Sequence, residues 1–263
     1  MFGTNFGNNA SSGGVSYTPE AIAYIAAAGI TDTTEKDAVN QLVLDLKGTG
    51  STTNNTDVWI DSYAVYPLSP TSLSAAAFNL KQPTQNITWF NSPIHSINGV
   101  RGNGTNMYGE TSFNPTAYSV DTNNSGLTYS GQYSNSDYAM GALESSRFMA
   151  LRNNNSTRIA YSGTSGSSVS FANTTRLVTT SSRTGEFVHE LYNNGVLADS
   201  NSTSSAGSQS PNTNIYILAI NNSGVLTAPF AGEIDFAAAH KGLSANQAQD
   251  LYDAITTYNT AVR

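Results

Sequence analysis

The run from Pro229 to Ile255 constrains this chain more than any other. Residues 229–240 read Pro-Phe-Ala-Gly-Glu-Ile-Asp-Phe-Ala-Ala-Ala-His. Strict alternation places Phe230, Gly232, Ile234, Phe236 and Ala238 on one face of a strand, with Glu233 and Asp235 on the other. Lys241-Gly242-Leu243 then leads into a helix. Ser244 is a good N-cap, and Gln247 completes a capping-box spacing. Ala248, Leu251, Tyr252 and Ile255 recur at i, i+3, i+4 and i+7, which is one apolar stripe. A strand running straight into a short capped helix is an unusual ending for an otherwise strand-rich chain.

The rest of the chain reads as short strands and turns. Ile94 to Ile97 meets the turn Asn98-Gly99, and Gly126 to Tyr133 alternates apolar with small or polar residues. Ala139 to Leu151, Thr157 to Tyr161, Val169 to Phe171, Arg176 to Ser182 and Phe187 to Tyr192 read as further strands. Asn193-Asn194-Gly195 is the strongest hairpin turn, and Ile215 to Ile220 is a dense apolar strand turned by Asn221 to Gly224. Strands spaced by roughly 8–12 residues, with no helices between them, predict an all-β antiparallel sandwich or barrel.

With 263 residues the chain can bury a full core, and with no cysteine it has neither disulfides nor thiolate metal sites. Only 11% of residues are charged, against about 25% in an average protein. Asn, Ser, Thr and Gly must therefore make the polar surface. The net charge of −7 argues against nucleic acid or an anionic membrane as partner. No apolar run approaches the ~18 residues of a membrane span, so no membrane insertion is expected. Met1 to Asn9 carry no basic region and no hydrophobic run, which points away from a secretory signal.

Residues 1–17 are expected to be a flexible arm, or an anchoring arm in which Phe2 and Phe6 dock into a neighbouring subunit. Thr18-Pro19-Glu20 starts a helix that Gly29 ends. Thr31-Asp32 opens a second helix, striped by Ala38, Val39, Leu42, Val43 and Leu46 and closed by Lys47-Gly48. Residues 18–50 thus form a helical hairpin for packing or attachment. Residues 49–56 read as a loop or linker, and residues 51–263 hold the sandwich.

The turn and strand at Asn103 to Tyr108, the hairpin Leu191-Tyr-Asn-Asn-Gly-Val196 and the closing Gly232-Glu-Ile-Asp-Phe236 with Leu243-Ser244, Gln247 and Leu251-Tyr252 resemble the concanavalin A-like lectin/glucanase superfamily. Within it the resemblance is to the laminin-G-like (LamG) branch, over about residues 90–258. It implies a two-sheet jelly roll whose closing strand completes one sheet and whose short C-terminal helix caps an edge. Ala27 to Asp32, Ala38 to Lys47, Ala64 to Pro67 and Phe78 to Pro83 resemble a set of proteins from phages and prophages of Bacteroidetes. There a helical lead-in precedes a LamG-like domain on the virion surface or tail.

Glucanases of that superfamily carry Glu-x-Asp-x-(x)-Glu on one strand, with one carboxylate as nucleophile and another as general acid. Here Glu233-Ile-Asp235 is followed by Phe-Ala-Ala-Ala, and the third carboxylate is missing. The expectation is therefore no enzyme activity, with glucan hydrolysis the least favoured reading. His95, His189 and His240 are read as cross-strand or rim residues, and Arg147, Arg152 and Arg158 as paired surface charges. No cofactor is expected. Calcium would be a rim ligand, with Asp121, Asp137 and Asp199 as candidates, though each suits a turn as well.

Sugar binding needs aromatic faces and amide or hydroxyl groups side by side. Tyr118, Asp121, Asn123 and Asn124 in one loop, and Tyr133 and Tyr138 in another, offer both. Polar loops of any β protein look similar, so that alternative stands. The resemblance implies a virion structural protein, a homo-oligomer held to other virion proteins through residues 1–50 and displaying its sandwich to a host-surface glycan. The alternative is an extracellular bacterial carbohydrate-binding module.

Overall fold

The computed structural model describes residues 16–132, 137–154, 157–163, 168–172, 176–204 and 209–263. The chain begins with α1 (Pro19–Ala28) and α2 (Thr33–Leu46). Thr18 accepts from Ala21 N–H and Asp32 from Glu35 N–H as the two N-caps, and Gly29 turns left-handed at φ 66° to end α1. Next come β1 (Ser62–Tyr66), β2 (Ile87–Phe90), β3 (Ile94–Ser96), β4 (Gly99–Arg101), β5 (Tyr108–Thr111) and β6 (Ser125–Gly131). They are followed by β7 (Tyr138–Glu144), β8 (Arg147–Asn154), β9 (Thr157–Gly163), β10 (Ser168–Ala172), β11 (Leu177–Gly185), β12 (Val188–Asn193) and β13 (Val196–Asn201). The chain closes with β14 (Tyr216–Ile217), β15 (Ile220–Asn222), β16 (Val225–Thr227), β17 (Glu233–His240) and α3 (Ala245–Val262).

The strands make two packed sheets. Sheet A runs β13-β12-β11-β6-β17-β4-β3, and β1 also pairs with β17. Sheet B runs β10-β9-β8-β7-β14-β5-β2, with the β15–β16 hairpin joined to β7. The sandwich is antiparallel as expected, except that β15 runs parallel to β7. Leu127, Tyr129, Leu191, Ile234 and Ala237 of sheet A meet Ile87, Met140, Met149, Leu151 and Ile217 of sheet B in the central core.

The segment expected as one strand from Ala139 to Leu151 is a hairpin. β7 and β8 turn at Ser145 and Ser146, whose φ values are 48° and 71°. The same left-handed pair recurs at Asn194–Gly195 and Ser223–Gly224, where a glycine makes it legible.

The closing helix is also different from the expected edge cap. It spans 18 residues and lies on the outer face of sheet A beside α1 and α2. Ala21, Tyr24, Leu42, Val43, Leu251 and Ile255 pack there against Val65, Val178, Phe236 and Ala238 of the sheet, making a second core. The capping box at Ser244 and Gln247 is present. Loop 49–56 is clasped to α3: Asp250 accepts from the backbone N–H groups of Asn54 and Thr56, both at 2.7 Å, and Asp253 from Thr53 N–H at 3.0 Å. The order is helix layer, sheet A, sheet B.

Candidate functional site

Glu233 and Asp235 do not sit as simple alternation required. The register of β17 against β6 shifts between Ile234 and Phe236. Ile234 faces the central core, whereas Phe236 and Ala238 face the helices. A bulge adds one residue and resets the alternation. Asp235 is 1% exposed and accepts from Asn259 Nδ2 of α3 at 2.9 Å. Its other oxygen accepts from Arg176, which also donates to Glu233. One guanidinium thus ties both carboxylates together, and α3 secures the buried one.

The two loops named as sugar-binding candidates are separate in the fold: residues 118–124 precede β6 and Tyr138 comes after it, and the seven residues of β6 span about 20 Å. Tyr118 is half-buried, with its ring 5.2 Å from that of Phe113. Asp121 accepts from Asn123 N–H at 2.9 Å within its own turn, and Asn124 accepts from Gly242 N–H at 2.8 Å. Tyr133 lies outside the described residues. Tyr138 opens β7 at the far end. The calcium candidates are likewise dispersed: Asp121 before β6, Asp137 after it, and Asp199 on the edge strand β13. Burial pushes the Asp137 carboxyl up, partly offset by Arg152. Among the described residues, no three His, Asp or Glu side chains gather as a metal site would need.

His189 and His240 are cross-strand residues, bonded to Ser181 and Thr128, whereas His95 Nε2 lies 3.0 Å from the loop carbonyl of Ser69. His240 is fully buried, with Nε2 2.9 Å from Thr128 Oγ1 and Nδ1 2.6 Å from the Lys241 carbonyl. Burial pushes its pKa down to about 4, against the opposing pull of that carbonyl. Arg158 is no surface charge. It is 0% exposed between the sheets, donates to Thr179 Oγ1 and the Gly131 carbonyl, and lies 4.8 Å from the Tyr129 ring centre. Arg152 is half-buried, 5.3 Å from the Tyr138 ring.

The sandwich treats its two outer faces differently. The three α-helices cover sheet A, and among the described residues sheet B meets only the short 3-10 turn Ala75–Ala77, which touches β2 at its edge. The outer face of sheet B carries two ring clusters, in which Phe90, Tyr108, Tyr138, Phe148 and Tyr161 are half-buried and Tyr216 is buried. Phe90 stacks on Tyr108 at 4.7 Å, and Tyr108 meets Tyr216 at 4.7 Å. Tyr161 meets Phe148 at 5.2 Å and Tyr138 at 6.2 Å. Their partners in sequence, such as Trp89, Met149, Ala160 and Ile217, point into the core, so period-two alternation sends five of the rings outward, and the register shift between Tyr138 and Met140 turns Tyr138 to the same side.

Register joins the two clusters. Tyr216 pairs with Gly141, Gly141 with Ala150, and Ala150 with Tyr161. Two small residues therefore separate the tyrosines over three strand spacings, about 14 Å. A Cβ on Gly141 would come within 2.5 Å of the Ala150 Cβ, so only glycine fits. Glu110 stands beside Tyr216 and is held by Asn214 Nδ2 at 2.9 Å. Rings of this kind offer flat apolar faces, while Arg152 and Glu110 supply polar groups at their borders. Of the residues expected at a sugar site, Tyr138 alone falls in this array. The others were missed because the array draws on six strands far apart in sequence.

The fold and this face define a helix-backed two-sheet β-sandwich. Solved structures share the β-sandwich fold. A botulinum neurotoxin serotype D binding domain matches with TM-score 0.55 and 11% identity over 75% of this chain and 53% of that one. A structure from botulinum neurotoxin type C, a toxin whose cell entry is dependent upon interaction with two ganglioside molecules, matches with TM-score 0.54 and 9% identity, covering 76% and 52%. A Trypanosoma rangeli sialidase matches with TM-score 0.57 and 12% identity, covering 83% and 37%. The chain thus spans about half the length of the toxin domains and less of the sialidase. No family model matches the chain. No curated protein does either.

Proposed function

We propose that this chain is a non-enzymatic carbohydrate-binding domain that takes glycans on the outer face of sheet B. The observation that carries this reading is the six-ring array on the helix-free outer face of sheet B, in which five rings are half-buried and Tyr216 is buried between them, on a sandwich whose other outer face is buried under helices. The ganglioside named for one structural neighbour agrees with it. Stacking on the rings would supply affinity, and Arg152 and Glu110 would orient sugar hydroxyls. The absence of enzyme activity rests on Glu233 and Asp235 being engaged by Arg176.

The finer reading is a phage virion component that displays this face to a host-surface glycan, oligomeric and joined to other virion proteins through residues 1–50. It rests on the sequence resemblance and on the charge-poor, amide-rich composition. Multiple copies would turn weak single contacts into avidity. A glycan array probed with the full chain, alongside its Tyr161→Ala and Tyr108→Ala variants, tests the binding reading. Mass spectrometry of purified particles tests the location, and absence of the chain from particles would refute it.

A further inference from the structure

A second polar site lies on the opposite side of the molecule. Between α3 and the outer face of sheet A is a cleft of about 350 Å³, at the small end of the range for ligand sites. One side of it is a stripe of α3, in which Tyr252, Thr256 and Thr260 follow one another at i, i+4 and i+8. The other side includes Ser130 of β6, Asn194 of the β12–β13 turn and Asn98 of the β3–β4 turn.

The charged groups around this cleft are already engaged. Arg176 holds Glu233 and Asp235. Arg263 donates to the carbonyls of Leu68 and Asp235, each at 3.0 Å, and its Nε donates to Asn259 Oδ1 at 2.9 Å. Burial also lowers the Arg263 pKa. The neutral groups are not engaged in the same way. Among the described residues, no hydrogen bond is made by the side chains of Asn98, Ser130, Tyr252, Thr256 or Thr260. Asn194 spends its oxygen on Val178 N–H at 3.0 Å, which leaves its amide nitrogen.

An anion would need an uncompensated guanidinium, and a cation would need a free carboxylate. Arg263 pairs with no carboxylate, but its N–H groups are spent on Asn259 and on the carbonyls of Ile97, Leu68 and Asp235, and the two guanidiniums balance Glu233 and Asp235. The cleft therefore has no net charge to offer, but it converges hydroxyl and amide groups beside a tyrosine ring. We infer that this cleft is a ligand site for a single uncharged polyhydroxylated ring, of the neutral monosaccharide class. The inference stands on the cleft's own groups and does not require the sheet B face to bind anything.

The test is a titration of the ¹⁵N-labelled full chain, followed by amide shifts. The probes are methyl glucoside, methyl galactoside, methyl mannoside and N-acetylglucosamine, with N-acetylneuraminic acid as the charged control. The expected result is saturable shifts at residues 256, 260 and 194 with at least one neutral sugar. The double variant Thr256→Val/Thr260→Val, which keeps side-chain shape at two exposed positions, should weaken that titration about tenfold. Tyr161→Ala should leave it unchanged. No shift at those amides with any neutral sugar overturns the inference, as does a preference for N-acetylneuraminic acid. If the titration persists in Thr256→Val/Thr260→Val but is lost in Tyr161→Ala, sugar binding belongs to sheet B alone and this site is refuted.

Discussion

Tyr216 and Tyr161 stand in one register row of sheet B, joined by Gly141 and Ala150 and flanked by rings on both sides. The row ties the two ring clusters to one rigid backbone frame. Aromatic rings fixed on strands lose little freedom on binding, which favours a stacking platform over a loop site.

That frame depends on the close approach of Gly141 to Ala150. Gly141→Ala would bring a methyl group within 2.5 Å of the Ala150 Cβ. It is expected to cost about 1–3 kcal/mol in denaturant unfolding. An unchanged midpoint would show that the two strands have slack at this point.

The acids of β17 are expected to be structural. Asp235→Ala removes the partner of both Arg176 and Asn259 and is expected to lower stability by about 2 kcal/mol, since Arg176 keeps some solvent. The unaltered chain should release no reducing ends from laminarin. Release that Glu233→Gln abolishes would make those acids catalytic.

His240 should make the fold acid-sensitive. Burial pushes its folded pKa down to about 4 from the ordinary imidazole value of 6.5. Between those values the unfolded chain binds a proton that the folded chain does not, so stability falls as pH drops from 6.5 towards 4. The full effect is about 3 kcal/mol, reached below the folded value. Replacing His240 with Gln should flatten the slope in that window. An equally steep slope in the variant would assign the acid sensitivity to other groups.

The clasp on loop 49–56 should be separable from the core. The Asp250 pKa is raised by burial but lowered on balance by hydrogen bonds from Thr56 and Asn54. Asp250→Ala is expected to cost about 2 kcal/mol and to speed amide exchange at residues 52–57. Protection that survives there would mean the loop is held by other contacts.

The sequence was legible where the signal is local. Thr18, Asp32, Ser244 and Gln247 satisfy nearby backbone donors, and those caps are found as expected. Asn194–Gly195 announces its hairpin because both residues tolerate positive φ. Ser145–Ser146 adopts the same geometry without glycine, since β7 and β8 impose it through pairing. The bulge at Asp235 answers to two neighbouring strands and a helix, none of which its own residues specify. Arg158 reads as a surface charge until Tyr129 and Thr179 are seen around it. The sugar-site residues were chosen by proximity in sequence, whereas the sheet gathers rings by register across strands.

The most direct measurement of the central claim is glycan retention by the full chain and four variants on one array. Retention by the unaltered chain, lost in Tyr161→Ala and Tyr108→Ala but kept in Asp121→Ala and Asn124→Ala, is the predicted result. No retained glycan, or loss confined to Asp121→Ala and Asn124→Ala, would contradict binding on sheet B.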